Sequence, residues 1–191
     1  MDAKDPRAAQ VLRFWFGQPR AAWFAKDAAF DAEIRARFLA LYEQASTRQL
    51  EAWKEHAGDC LALVITLDQF PRNLFRAGSP EAARAFAADV LALEAARRAV
   101  MSGYDREMAP EERMFLYLPY EHSESLADQL VCGELMARLL PFSETAGIYG
   151  YAVAHRVIIE RFGRFPHRNA ALGRASSAEE LEFLKQPGSA F

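Results

Sequence analysis

Near its C-terminal end the chain carries the stretch RFGRFPHRN, which occupies residues 161–169. The two phenylalanines in this stretch favour burial. Gly163 and Pro166 are of the residue types that end helices and fix turns. A solvated basic tail would lack this mixture, so the stretch predicts a rigid, half-buried, cationic corner. Its cationic or titratable side chains are those of Arg161, Arg164, His167 and Arg168.

Two earlier segments repeat this order of residue types. The segment DQFPRN, residues 68–73, shares the Phe-Pro and Arg-Asn steps, and PYEHSE, residues 119–124, places polar residues after a proline. We call these segments and residues 161–169 the three proline corners, and we expect them to converge on one polar pocket. The candidate acid–base residues of this pocket are Asp68, Glu121, His122, His155 and His167. The candidate ligand-binding residues are Arg72, Asn73, Arg161, Arg164, Arg168 and Asn169.

Hydrophobic periodicity predicts helix in nearly every segment. Residues 58–70 are apolar on all sides, which is typical of a helix at the centre of a fold, and no segment offers a partner for a strand. The sequence therefore predicts an all-α protein of about eight or nine helices, in antiparallel pairs that stack into a bundle or a solenoid-like array. We expect a single domain over residues 1–191, with 1–77 and 78–191 as its two lobes if it divides.

Capping patterns predict several helix boundaries. Asp27 is a candidate N-cap, Ser177 begins a capping box, and Gly163 should close a helix. The Ser79-Pro80-Glu81 sequence predicts a helix start, and Pro119 predicts the end of one helix and the start of the next.

Composition places the chain among ordinary globular proteins. Of its 191 residues 51% are hydrophobic and 26% are charged, and the formal net charge is −3. This balance draws neither nucleic acid nor an anionic membrane. The sequence predicts neither a signal peptide nor a membrane span, and it predicts that Cys60 and Cys132 are buried free thiols. We therefore expect a cytoplasmic protein.

Each candidate site residue also has a purely structural interpretation. A buried Asp68 needs a cation or several donors, and Arg72, His155 or the cluster at 161–168 could supply them in an ion pair that only joins helices. His155 follows an apolar helix face, so it is either a satisfied core residue or a base whose pKa a carboxylate tunes. The spacing in residues 119–124 matches no metal-binding motif, and we predict no metal and no cofactor.

The proline corners, together with VLRFWFG at residues 11–17 and LGR at residues 172–174, resemble the signatures of the bacterial domain-of-unknown-function 924 family. The resemblance covers essentially the whole chain. It implies an all-helical fold similar to that of tetratricopeptide-repeat proteins, and it supplies no catalytic residues.

Two functions therefore remain open. In the first, the pocket binds a small anionic metabolite, with or without acid–base catalysis, because arginine forks suit carboxylates and phosphates. In the second, the chain is a helical scaffold for a protein segment and the polar cluster is a structural network. Nucleotide-binding, hydrolase and thiol motifs are absent. Neither the oligomeric state nor the question of whether the chain is an enzyme follows from the residues.

Overall fold

The protein is described by a computed structural model over residues 2–189. This part of the chain contains helices and no strand, as the sequence predicted. Two of its ten α-helical segments join through a π turn into one helix, so this part of the chain holds nine α-helices. Their segments are α1 (Pro6–Phe16), α2 (Arg20–Trp23), α3 (Ala28–Ser46), α4 (Ala57–Val64), α5 (Phe70–Leu74), α6 (Asp89–Met101), α7 (Pro110–Glu121), α8 (Leu126–Ala137), α9 (Ile148–Phe162) and α10 (Ala178–Phe183).

The central helix is formed by α4, a π turn over Ile65–Gln69, and α5. Every residue from Gly58 to Pro71 is buried, which confirms the prediction of a central apolar helix. The π turn has a local cause in Pro71, which lacks an N–H and whose ring clashes with a carbonyl four residues earlier in regular α geometry. The backbone N–H of Phe70 donates to the carbonyl of Ile65, five residues back, and this wider turn gives the proline room.

The main apolar core surrounds this central helix. Helices α1, α6 and α7 pack against α4, and α3 packs against α5. Aromatic rings fill the contact: the Phe38 and Phe70 rings stack with centroids 4.8 Å apart, and Trp15 meets Phe115 edge-on at 5.4 Å. Cys60 and Cys132 are buried free thiols. Among residues 2–189, no helix has the length and apolar character that crossing a bilayer requires.

The helix boundaries predicted at Pro119 and at Ser79 were wrong. Pro119 does not end α7, which continues to Glu121, and α8 begins only at Leu126. A proline removes one helical hydrogen bond, but this turn is buried, and the N–H of His122 still donates to Leu118 at 2.9 Å. The predicted start at Ser79 is also absent. The chain there forms a short 3₁₀ turn at Ala82–Ala85, and α6 begins at Asp89.

The predicted caps are present. The side chain of Asp27 accepts hydrogen bonds from the first turn of α3, and Ser177 forms a capping box with Glu180 at the start of α10. Gly163 ends α9 with a φ of 66°. A second, smaller apolar cluster of Ile158, Ile159 and Phe165 lies beyond the main core.

Candidate functional site

The site is built on a contact between the π turn and the end of α7. Asp68 is fully buried in the π turn, and its Oδ1 accepts a hydrogen bond of 2.7 Å from Nδ1 of His122. Because a carboxylate can only accept, Nδ1 carries the hydrogen, and the lone pair of the neutral ring lies on Nε2. No residue in the described range hydrogen-bonds Nε2, and 14% of the His122 side chain is exposed.

Charge and burial set the protonation of this pair. Burial acts to raise the pKa of Asp68, but the charge of Arg72 and the contacts with His122 outweigh it and hold that pKa below its usual range. Burial, reinforced by Arg72, lowers the pKa of His122 although Asp68 opposes the shift. At neutral pH the pair is therefore a carboxylate that orients a neutral imidazole, which is the arrangement that a general base needs.

Two arginines from different proline corners lie beside this pair and are bridged by Asp89. Nη1 of Arg72 is 3.3 Å from Oδ1 of Asp68 and 3.1 Å from Oδ1 of Asp89. Nη1 of Arg168 donates to Oδ2 of Asp89 at 3.1 Å. Burial lowers the pKa of Arg168 to about 10, against the effect of Asp89, so the guanidinium stays charged at neutral pH. The two cations therefore belong to one continuous network with Asp68.

A second layer of titratable groups lies behind His122. Oε1 of Glu121 is 3.4 Å from Nδ1 of His155, which also donates to the carbonyl of Tyr151 at 2.9 Å. Burial, with a smaller effect from Asp68, raises the pKa of Glu121 to about 8. Burial also lowers the pKa of His155 to about 3, and His122 acts in the same direction when it is protonated. Both groups are neutral at pH 7, so their contact is not an ion pair.

The third proline corner is fastened to the second through Glu124. This carboxylate accepts the backbone N–H of Phe165 at 2.8 Å and two bonds from Arg174, at 2.7 and 2.9 Å. His167 lies in the same corner, and burial together with the charge of Arg168 lowers its pKa to about 4. The convergence of the three corners is thus made by direct hydrogen bonds.

The structure does not bring every predicted residue to this cluster. Arg161 pairs with Glu179 at 2.8 Å, and Arg164 pairs with Glu180 at 2.6 Å. Asn73 donates to Asp31, and Asn169 donates to Ser176. The cluster itself contains Asp68, Arg72, Glu121, His122, His155, His167 and Arg168. Within residues 2–189, no group of three or more His, Cys, Asp or Glu side chains is arranged to hold a metal ion.

Sequence reasoning missed Asp89 and Arg174. Asp89 looked like the middle of a helix because the start of that helix was placed at Ser79, whereas it lies in the first turn of α6, where acidic residues are favoured. The sequence marks Arg174 only as part of the LGR segment that carries the family resemblance. A carboxylate in the first turn of a helix can be recognised from the local sequence. The two arginine partners of Asp89 cannot, because they are 17 and 79 residues away.

The fold and the site define a class: an all-α protein with a mostly buried, hydrogen-bonded Asp–His pair flanked by arginines. The chain belongs to the family described as bacterial protein of unknown function, DUF924, which matches residues 11–188. It is also similar to a solved structure of a protein of unknown function from Agrobacterium tumefaciens. The two chains are 41% identical, the match covers 93% of this chain and 96% of that one, and the TM-score is 0.84. A search of curated proteins found no match.

Proposed function

We propose that the protein binds a small anionic molecule at the Asp68–His122 cluster and that His122 moves a proton on it. The observation that carries this proposal is the orientation of His122, whose Nδ1 is held by a buried carboxylate while Nε2 has no partner among the described residues. Arg72 and Arg168 supply positive charge next to this base. Glu121, which is protonated at neutral pH, would supply an acid, since groups whose pKa values are pushed apart suit opposite roles.

The rival function is a tetratricopeptide-like scaffold for a protein segment, with the polar cluster as an internal lock. Two observations favour it. The charges of Arg72, Arg168, Asp68 and Asp89 already pair with one another. In addition, α8 exposes apolar side chains that a protein segment could cover, namely Leu126, Leu130 and Val131.

The test is a thermal-shift screen of the wild-type protein against phosphorylated and carboxylated metabolites, with and without divalent metals. A ligand at about 100 times its Kd stabilises the protein by about 2.7 kcal/mol, which raises Tm by several degrees for a chain of this size. Each ligand that stabilises the protein is then incubated with it, and its conversion is followed by NMR. We expect conversion to slow by about 100-fold or more in His122→Gln, which removes the basic nitrogen.

The matched control is His56→Gln, because His56 lies before α4 and outside the cluster. A ligand that is lost in Arg72→Gln and retained in the control would support the proposal. A ligand that binds but is never converted would contradict the role of His122. If no ligand binds, and Arg72→Gln and His122→Gln each lower the free energy of unfolding strongly, the cluster is a structural network and the proposal is wrong.

A further inference from the structure

The guanidinium of Arg168 is the least exposed cation of the cluster, and only some of its N–H groups donate hydrogen bonds. Its side chain is 7% exposed, and its Cζ lies 4.7 Å from the ring centroid of Phe86 and 4.5 Å from that of Phe165. Its hydrogen bond to Asp89 comes from Nη1. Nε is buried, and in the described part of the chain neither Nε nor Nη2 has an acceptor.

The unused atoms form the edge with which arginine binds a carboxylate through two parallel hydrogen bonds. Other arginines of this protein use the same edge in this way. Nε and Nη2 of Arg164 donate to the two oxygens of Glu180 at 2.6 and 2.8 Å. Nε and Nη2 of Arg76 donate to the two oxygens of Asp31 at 2.8 and 2.7 Å. Arg168 has the same edge without a carboxylate on it.

Asp89 does not fill this edge, because both of its oxygens face Nη atoms of the two arginines. Its Oδ2 accepts from both Arg72 and Arg168. Its Oδ1 lies 3.1 Å from Nη1 of Arg72 and accepts no hydrogen bond within the described residues. Its bridging position holds the two guanidinium groups together and leaves the Nε–Nη2 edge of Arg168 for another acceptor. A buried donor without an acceptor is costly, and an incoming carboxylate would remove that cost.

The charge balance of the cluster limits the ligand. Arg72 and Arg168 are balanced by Asp68 and Asp89, so no excess positive charge is present for a dianion. A single carboxylate adds one negative charge and satisfies both donors, whereas a phosphate dianion adds two charges beside two buried carboxylates. This balance favours a monocarboxylate over a phosphate ester.

We propose that Nε and Nη2 of Arg168 are the carboxylate-binding edge of this site and that its ligand is a small monocarboxylate. The inference rests on the proposed function, whose ligand class it specifies. Arg168 binds and positions the carboxylate.

The test follows the side-chain Nε–H signals of arginine by ¹H–¹⁵N NMR while acetate, lactate or inorganic phosphate is added at constant ionic strength. The variant Arg168→Lys identifies the Arg168 signal by its loss, and it keeps a cation next to Asp89 while removing the two-donor edge. We expect acetate and lactate to shift the Arg168 signal in the wild-type protein. We expect their affinity, read from backbone amide shifts, to fall by about tenfold or more in Arg168→Lys.

The matched control is Arg164→Lys, which alters an arginine of the same corner whose edge Glu180 already occupies, and it should bind acetate as the wild type does. Equal acetate affinity in Arg168→Lys and the wild type would overturn the assignment of the edge. Binding of phosphate but not of acetate would overturn the ligand class. Both of those results would leave an anion site in place. The absence of any shift with all three probes would overturn this inference, whereas the proposed function would be decided by the metabolite screen.

Discussion

Glu121 is a buried carboxyl group that is more stable protonated than ionised. Its Oε2 is buried and has no hydrogen-bond partner within residues 2–189, and its pKa is raised to about 8, chiefly by burial. A carboxyl whose pKa is higher in the folded than in the unfolded protein binds a proton on folding. Its contribution to stability is therefore complete below its ordinary pKa and is lost as the pH rises toward 8.

The variant Glu121→Gln tests this proton. Glutamine keeps the size of the side chain and cannot ionise, so the variant should lose the part of the pH dependence that Glu121 causes. Between about pH 5 and pH 8, we expect the free energy of unfolding of the wild type to fall relative to the variant by up to about 1.4 kcal/mol per pH unit. Urea unfolding at four pH values measures both curves. Parallel curves would show that Glu121 is ionised in the folded protein.

At the level of single residues, the sequence predicted which side chains are buried better than it predicted their hydrogen-bond and ion-pair partners. The sequence predicted that a buried Asp68 needs a cation or several donors, and Arg72, one turn further on, is one of its partners. The sequence did not predict His122 as a partner of Asp68. Its contact joins residues 54 positions apart, and such contacts depend on how helices pack rather than on local periodicity.

The local sequence decides where a helix ends, and two glycines of this protein show it most clearly. Gly163 ends α9 in the left-handed region, whereas Gly133 lies inside α8. A Cβ added at either position would meet no atom within 4 Å. The two sites therefore differ in backbone conformation and not in available space.

Opposite effects of the same substitution are expected at these two glycines. Gly163→Ala should lower the free energy of unfolding by about 1 kcal/mol, because a Cβ is disfavoured at positive φ. Gly133→Ala should raise it by about 0.5–1 kcal/mol, because alanine is the better residue inside a helix. Chemical denaturation of both variants measures the difference, and a change of the same sign at both sites would contradict the cap assignment.

The sequence predicted elements well where the signal was local. The caps at Asp27 and Ser177 follow from side chains that reach a backbone N–H within three residues. Pro119 was misinterpreted because the cost of a proline inside a helix is a local quantity, while the burial of the following turn is not. The π turn also went unpredicted, since it requires the helix to continue through Pro71.

On the scale of the whole molecule, the segment that follows α9 is held by polar contacts in addition to a small apolar cluster. Glu124 binds Phe165 and Arg174, Asp89 binds Arg168, and Glu180 binds Arg164. These contacts tie the third proline corner to the body of the fold and to α10. The position of Arg168 beside Arg72 therefore depends on acidic residues that the hydrophobic periodicity of the sequence does not reveal.

Glu124→Ala should loosen this attachment. Loss of the acceptor for Phe165 and Arg174 should lower the free energy of unfolding by about 1–3 kcal/mol. Native-state hydrogen exchange reports it directly, because the Phe165 amide loses its hydrogen bond and should exchange faster. Glu179→Ala is the control: its pair with Arg161 is largely exposed, and such pairs contribute about 1 kcal/mol or less. Unchanged protection of the Phe165 amide in Glu124→Ala would show that other contacts hold the corner.

The π turn at Ile65–Gln69 has a consequence for how this gene can change. A π turn contains one residue more than the α-turn it replaces, so the segment has the form of a one-codon insertion in a helix. The turn absorbs its extra residue locally, because five residues at the wider π spacing rotate the chain about as far as four residues of α-helix, which turn by about 100° each. Deletion of a single codon in this turn should therefore leave Arg72 on the same side of the helix as before and restore α geometry, in which the ring of Pro71 clashes with a carbonyl four residues earlier. The cost of such a deletion would come from that clash, so Pro71 opposes any shortening of this helix by one residue.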